Sequence, residues 1–169
     1  MNITRKMQLK LNMKSIRVLS IMCALTFMLI HVVMYLVFRQ NHVIPMVRFN
    51  IFSITFYFIM IFVAYKGWIM FFATATYFEV IAHMTLSVIF TGWESGFQIT
   101  LIGMCILLLF TEYVGRILDI PRINITFLGA VGFFCYIGSY IWIHYHPARY
   151  TLSDIAVFKP KIPVGLYLG

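Results

Sequence analysis

One apolar stretch decides the fold: WIMFFATATYFEVIAHMTLSVIF, from Trp68 to Phe90. A helix needs roughly 20 mostly apolar residues to cross the hydrocarbon core of a bilayer, and this stretch is long enough. It carries one carboxylate near its midpoint, Glu79, and an imidazole one helical turn later, His83, so the two side chains share a face. An ionisable group at membrane depth is energetically expensive, usually faces the inside of a bundle, and usually has a function.

The composition indicates an integral membrane protein. Hydrophobic residues make up 62% of the chain and charged residues only 11%, whereas a soluble domain is about 45–50% apolar. The basic residues behind the net charge of +8 gather at the ends of the apolar runs. The charge therefore requires no nucleic acid, and the lipid bilayer is the expected partner.

Five apolar runs predict an all-α integral membrane bundle with five transmembrane helices, in a membrane domain from residue 18 to residue 145. The predicted spans are Val18–Phe38, Phe49–Tyr65, Trp68–Phe90, a fourth from about Trp93 to Tyr113, and Ile125–Tyr145. The basic segment 1–17 is expected either to lie on an anionic leaflet or to be disordered. The polar tail 146–169 is interpreted as a loop remnant before a lost sixth span, so that the domain would be a truncated six-span domain.

The distribution of basic residues predicts the orientation. With the N-terminus in the cytoplasm, the inner segments hold Arg5, Lys6, Lys10, Lys14, Arg17, Lys66, Arg116 and Arg122, and the outer ones Arg39, Arg48, Arg149, Lys159 and Lys161. Because basic residues are enriched on the cytoplasmic side, the N-terminus is expected inside. The expected location is the bacterial cytoplasmic (inner) membrane, as a multi-pass protein.

Glu79 and His83 are the first candidate site, for ligand sensing or proton handling. They could share a proton, or they could bond to each other and to a neighbouring helix and hold the bundle in register. His31 is predicted at nearly the depth of His83, on another helix running in the same direction. Two imidazoles at one depth are what haem b or a divalent metal would need, although a hydrogen-bonded histidine is the plainer alternative.

The turn after the third span is the second candidate site. Trp93 and Glu94 could contact a cationic or aromatic ligand, or the turn could be a simple reversal in which Gly92 and Gly96 supply unusual φ values. Further histidines lie at the predicted outer interface, where they could bind a metal or titrate, or simply form an interfacial belt; these are His42, His144 and His146.

No catalytic motif is present, so no enzymatic activity is expected of this chain. The sequence lacks a phosphate-binding loop, a GxSxG elbow and an HExxH helix. The three cysteines, Cys23, Cys105 and Cys135, lie in separate apolar runs without metal or haem spacing, and are interpreted as small buried hydrophobes.

The run YFEVIAHMTLSVIFTGWESGFQ, Tyr77 to Gln98, resembles a pattern in the N-terminal multi-span membrane (sensor) domains of bacterial GGDEF-type diguanylate cyclases and related membrane-bound nucleotide cyclases. In those domains an E-x-x-x-H helix is followed by a G-W-x-x-G-F turn. The resemblance implies that the domain's signature here consists of Glu79, His83, Gly92, Trp93, Gly96 and Phe97. It also implies signal transduction, without the catalytic output domain because no GGDEF sequence follows.

Two other functions remain open. A small proton-coupled transporter, or a subunit of one, would use Glu79 as its proton site and Arg48 as an anion contact. A haem b-binding redox subunit would use His31 and His83. The candidate partners besides the bilayer are an unidentified small ligand and a second copy of the chain, bound as a homodimer through the membrane helices.

Overall fold

The computed structural model describes residues 3–118 and 124–150, and within these ranges the chain is helical apart from short turns. A single 3-10 turn, Trp93–Ser95, separates the third helix from the fourth. The five helices are α1 (Ile3–Gln40), α2 (Ile44–Lys66), α3 (Ile69–Thr91), α4 (Gln98–Leu118) and α5 (Ile125–Tyr145).

Four of these helices are long and apolar enough to cross a membrane. They are α2, α3, α5 and the part of α1 from Met13 to Gln40. The apolar stretch of α4, Gln98–Tyr113, is shorter, and near its end the side chains of Glu112 and Arg116 form an ion pair at 2.9 Å. The prediction of an all-α multi-pass membrane protein is confirmed, but its count of five spans is wrong: four helices meet the length.

Other predicted boundaries differ from the structure, among them the start of the fourth helix, which lies at Gln98 rather than Trp93 because a 3-10 turn occupies Trp93–Ser95. The second span begins at Ile44 rather than Phe49, because Pro45 occupies the first turn of α2, where a missing amide hydrogen is tolerated. α1 runs without a break through the predicted boundary at residue 17. The fifth span has the predicted bounds, Ile125–Tyr145. The polar connection at residues 119–123, and the tail beyond residue 150, lie outside the described residues.

The turn between α2 and α3 brings α1 against both helices. Gly67 has φ 82°, and its N–H donates to the carbonyl of Ala64. A Cβ at Gly67 would lie 2.6 Å from Nη2 of Arg17, so the guanidinium of α1 covers this turn. We call this end of the bundle the Arg17 end.

α3 is the central helix, since it contacts each of the other four. On one side an apolar cluster joins it to α1 and α2, with the members Ala24, Tyr57, Met60, Val63, Ala64 and Phe72. On the other side a second cluster joins it to α4 and α5, with the members Tyr77, Val80, Ile81, Leu101, Met104, Leu108 and Leu128. A third cluster, around Phe38, Val43 and Met46, lies at the opposite end from Arg17, which we call the Phe38 end.

A tyrosine fixes α5 against α3. The hydroxyl of Tyr77 donates to the carbonyl of Leu128 at 2.7 Å. It lies where a side chain at residue 132 would begin, since a Cβ on Gly132 would be 2.6 Å from the hydroxyl oxygen. Gly132 thus provides the space through which the two helices make their polar contact.

We expect Gly132→Ala to lower the free energy of unfolding by about 1–3 kcal/mol, because the new methyl group displaces the Tyr77 hydroxyl from a close-packed site. The matched control is Gly129→Ala in the same helix, where a Cβ meets nothing within 4 Å. That change should be neutral or slightly stabilising, because alanine favours a helix more than glycine does. Reversible unfolding in mixed micelles measures both, and equal effects would contradict this role of Gly132.

Candidate functional site

Six buried polar side chains meet halfway along the bundle. α3 contributes Glu79 and His83, and α1 contributes His31. α2 contributes three residues at spacings of three and four, which place them on one face of the helix: Asn50, Ser53 and Tyr57. None of the six is more than 6% exposed. We call this group the polar network.

The carboxyl group of Glu79 has a partner on each oxygen. The hydroxyl of Ser53 donates to Oε1 at 2.5 Å, and the hydroxyl of Tyr57 donates to Oε2 at 2.6 Å. Oε2 also lies 3.5 Å from Nε2 of His31. α1 and α2 therefore both supply polar partners to the carboxyl group of Glu79. Without such partners a carboxyl group at this depth would be energetically costly.

Asn50 joins the two histidines. Its amide Nδ2 donates to the carbonyl of Met46 at 2.7 Å, which leaves Oδ1 as the acceptor for both imidazoles. Oδ1 lies 3.1 Å from Nδ1 of His31 and 3.2 Å from Nε2 of His83. The two rings also meet edge to face, with centroids 4.6 Å apart.

These contacts define a proton position between His31 and Glu79. Since Nδ1 of His31 must donate to Asn50, a neutral His31 has no hydrogen on Nε2, the atom that faces Glu79. The contact between Nε2 and Oε2 is therefore favourable only when the pair holds one more proton, either on His31 as an imidazolium or on Glu79 as a carboxylic acid. The same reasoning places a hydrogen on Nε2 of His83 and leaves Nδ1, which has no partner, as an acceptor when the ring is neutral.

The structure brings Glu79, His83 and His31 together, but it keeps the second candidate site separate. Trp93 packs edge to face on Tyr136 and Tyr140 of α5, and Glu94 is exposed. Gly92 and Gly96 have φ values of 86° and 81°, which a tight reversal needs. Phe97 is the one residue of this turn that reaches toward the network, since its ring lies 5.8 Å from that of Phe38.

The interfacial histidines also lie apart from the network. His144 contacts the ring of Tyr145, and His146 stacks on Trp142, with centroids 4.3 Å apart. His42 is exposed and has φ 57° in the turn before α2.

The geometry bears directly on haem and metal binding. The rings of His31 and His83 touch, so a haem macrocycle between them would require α1 and α3 to separate. Within residues 3–118 and 124–150, no group of three His, Cys, Asp or Glu side chains could hold a metal ion. Binding of haem or a metal at His31 and His83 stays a prediction.

Sequence reasoning missed the contribution of α2. Asn50, Ser53 and Tyr57 repeat with a helical period inside an otherwise apolar run, and such a polar face is a readable signal. This polar face is a weak signal by itself, because serine, asparagine and tyrosine are common and uncharged. Glu79, His31 and His83 are each a signal by themselves, because burying an ionisable side chain costs more free energy than burying an uncharged polar one.

Comparison with protein-family models, with curated protein sequences and with solved structures found no match to this chain. The resemblance to cyclase sensor domains therefore depends on the run from Tyr77 to Gln98 alone.

Replacing Ser53 tests whether Glu79 depends on α2. Ser53→Ala should lower the free energy of unfolding by about 1–3 kcal/mol, because it leaves Oε1 of a buried carboxyl without a donor. Ser139→Ala is the matched control, since Ser139 is equally buried but bonds only within its own helix, to the carbonyl of Tyr136 at 2.8 Å. It should cost less than about 1 kcal/mol, the net value of an ordinary hydrogen bond. Similar losses in both variants, measured by reversible unfolding, would argue against the bond to Glu79.

Proposed function

We propose that this chain is a membrane-embedded sensory module, in which a change of proton occupancy or of a bound ligand at the polar network changes the packing of α1 against α2 and α3. The observation that carries the proposal is the shared proton position between His31 on α1 and Glu79 on α3. Adding or removing that proton changes an interaction between two helices. A signal at this position is thereby converted into a movement of a helix that crosses the membrane.

The number of protons bound to the polar network affects the contacts between three helices. Its titratable groups come from all three helices packed there: His31 from α1, Tyr57 from α2, and Glu79 and His83 from α3. The contacts described for it include no Lys or Arg. Histidine changes its charge near neutral pH and is the common element of pH-dependent switches.

α1 is suited to transmit such a change. It extends from Ile3 to Gln40, about 57 Å at 1.5 Å per residue, which exceeds the hydrocarbon thickness of a bilayer. Its N-terminal part therefore continues beyond the membrane surface. Since His31 lies in the apolar part, a shift there would be carried along one continuous helix.

The finer features of the proposal concern topology and family. α4 packs beside α3 and α5 through its buried residues Leu101, Met104 and Leu108. The distribution of basic residues supports an orientation with the Arg17 end in the cytoplasm, and we propose the inner membrane of a bacterium as the location. The resemblance in residues 77–98 supports an origin among diguanylate-cyclase-type sensor domains.

The structure offers less support for transport or redox chemistry. α3 is continuous through Glu79 and His83, whereas transporter sites are typically formed by broken helices. Arg48, the candidate anion contact, is exposed on α2. The touching imidazoles leave no gap for a haem plane.

Interhelical distances measured at two pH values test the sensory proposal. Spin labels at residues 36 and 141, which are 51% and 50% exposed, report on α1 and α5 near the Phe38 end. In a chain lacking its three cysteines, the distance should change by about 1–2 Å or more between about pH 8 and pH 5, because protonation alters the contact of α1. Glu79→Gln should abolish the change.

Glu94→Gln provides the control, because Glu94 is exposed in the turn and lies outside the polar network. It should leave the pH-dependent change intact. A distance that is the same at both pH values in the parent chain, or a change that persists in Glu79→Gln, would refute the proposal.

A further inference from the structure

The polar network needs a route by which protons reach it, and the two ends of the bundle differ in what they offer. From His83 to the last residue of α3 at the Phe38 end is eight residues, about 12 Å of helix; to the first residue at the Arg17 end is about 21 Å. For His83, the Phe38 end is therefore the nearer end of α3.

Hydroxyl groups mark the nearer side. Ser87 and Thr91 follow His83 at successive turns of α3, and both are buried, at 0% and 4% exposure. The hydroxyl of Ser87 donates to the carbonyl of His83 at 2.8 Å, and that of Thr91 to the carbonyl of Ser87 at 2.6 Å. We call these two residues the hydroxyl track. Their oxygens retain acceptor capacity along the whole distance from His83 to the end of the helix.

The other side of the network is apolar. Toward the Arg17 end, α3 presents Thr76 and then Phe72, which is 5% exposed and packs into the cluster with Ala24, Met60 and Ala64. Thr76 has a buried hydroxyl without a partner, but between Thr76 and the Arg17 end the cluster contributes the apolar side chains of Phe72, Ala24, Met60, Val63 and Ala64. A proton carried by water has no hydrogen-bonding partner there.

Aromatic rings close the hydroxyl side. The ring of Phe38 lies 6.4 Å from His83 and 5.8 Å from Phe97, and the ring of Phe49 lies 5.4 Å from His83. Behind them, the N–H of Tyr150 donates to the carbonyl of Phe90 at 3.1 Å, so the segment after α5 is tied to the end of α3. We call Phe38, Phe49 and Phe97 the aromatic closure. Phe38 and Phe49 lie against the ring of His83, whose buried Nδ1 has no hydrogen-bond partner.

We infer that protons, carried by water, reach the polar network from the Phe38 end, along the hydroxyl track, when the aromatic closure opens. This inference rests on the proposed sensory function and specifies how its site is reached. A hydronium ion that arrives along the track would transfer its proton to Nδ1 of His83 and leave as water, and the imidazolium formed would still donate its Nε2–H to Oδ1 of Asn50. Phe38 is the gating residue because it belongs to α1, the helix whose packing the network controls.

Thiol accessibility in lipid nanodiscs tests the route, since both faces of the bilayer are open there. The reporter is Ser87→Cys in a chain whose own three cysteines are replaced, and the probe is a small charged methanethiosulfonate. The reporter should react slowly in this chain and at least about tenfold faster with Phe38→Ala, because removing a buried ring opens a cavity above the hydroxyl track.

The matched control is Phe72→Ala, which removes an equally buried ring at the Arg17 end and should leave the rate unchanged. If Phe38→Ala fails to fold, Phe38→Leu supplies the same comparison with a smaller increase. No acceleration in either Phe38 variant, or an equal acceleration in Phe72→Ala, would overturn the inference. The pH-dependent distance change would survive that result, because it requires only that protons arrive by some route.

Discussion

The arrangement of α1, α2 and α3 depends on the need to partner one carboxyl group at membrane depth. Glu79 cannot be hydrated where it lies, so its oxygens must be bonded by protein groups. Ser53 and Tyr57 supply donors from α2, and His31 approaches from α1. Apolar contacts alone could slide along a helix, since lipid tails are as apolar as leucine. The bonds to Glu79 specify one register.

A polar contact between helices also joins α3 to α5, and it consists of a single hydrogen bond. Tyr77 lies on α3 near Glu79 in sequence, yet its hydroxyl reaches the carbonyl of Leu128 on α5. Gly132 makes that approach feasible, while Leu101 and Leu108 pack α4 into the apolar cluster. One helix therefore organises both halves, with a titratable contact on one face and a neutral contact on another. Because only the contact with Glu79 contains a carboxyl group and an imidazole, we expect the signal to act on the face of α3 that packs against α1 and α2.

Much of this organisation could be predicted from the sequence, because placing an apolar run in water, or an ionisable group in the bilayer, costs a large free energy. The length and apolarity of the runs predict the helices, and the fifth span has its predicted bounds. Glu79, His83 and His31 stand out because ionisable groups inside apolar runs are rare. Depth counted along the helices placed His31 beside His83 before any contact was known.

The rest depends on packing that periodicity does not reveal. The fourth apolar run predicts a span, but its apolar stretch in the structure, Gln98–Tyr113, is shorter than those of the other four helices. The role of Asn50 depends on which direction its amide faces, and that is set by the carbonyl of Met46. The closure over His83 is built from α1, α2 and the turn before α4, so no single stretch of sequence contains it.

The most direct measurement is a double-mutant cycle between α1 and α3, with the free energy of unfolding as its readout. His31→Phe keeps a ring against Tyr57, and Glu79→Gln keeps the shape of the side chain while removing its charge. If the two groups share a proton position, the effects of the single changes should depend on each other by about 1–3 kcal/mol. Effects that add to within about 0.5 kcal/mol would show that His31 and Glu79 act independently, and would contradict a network that links proton occupancy to helix packing.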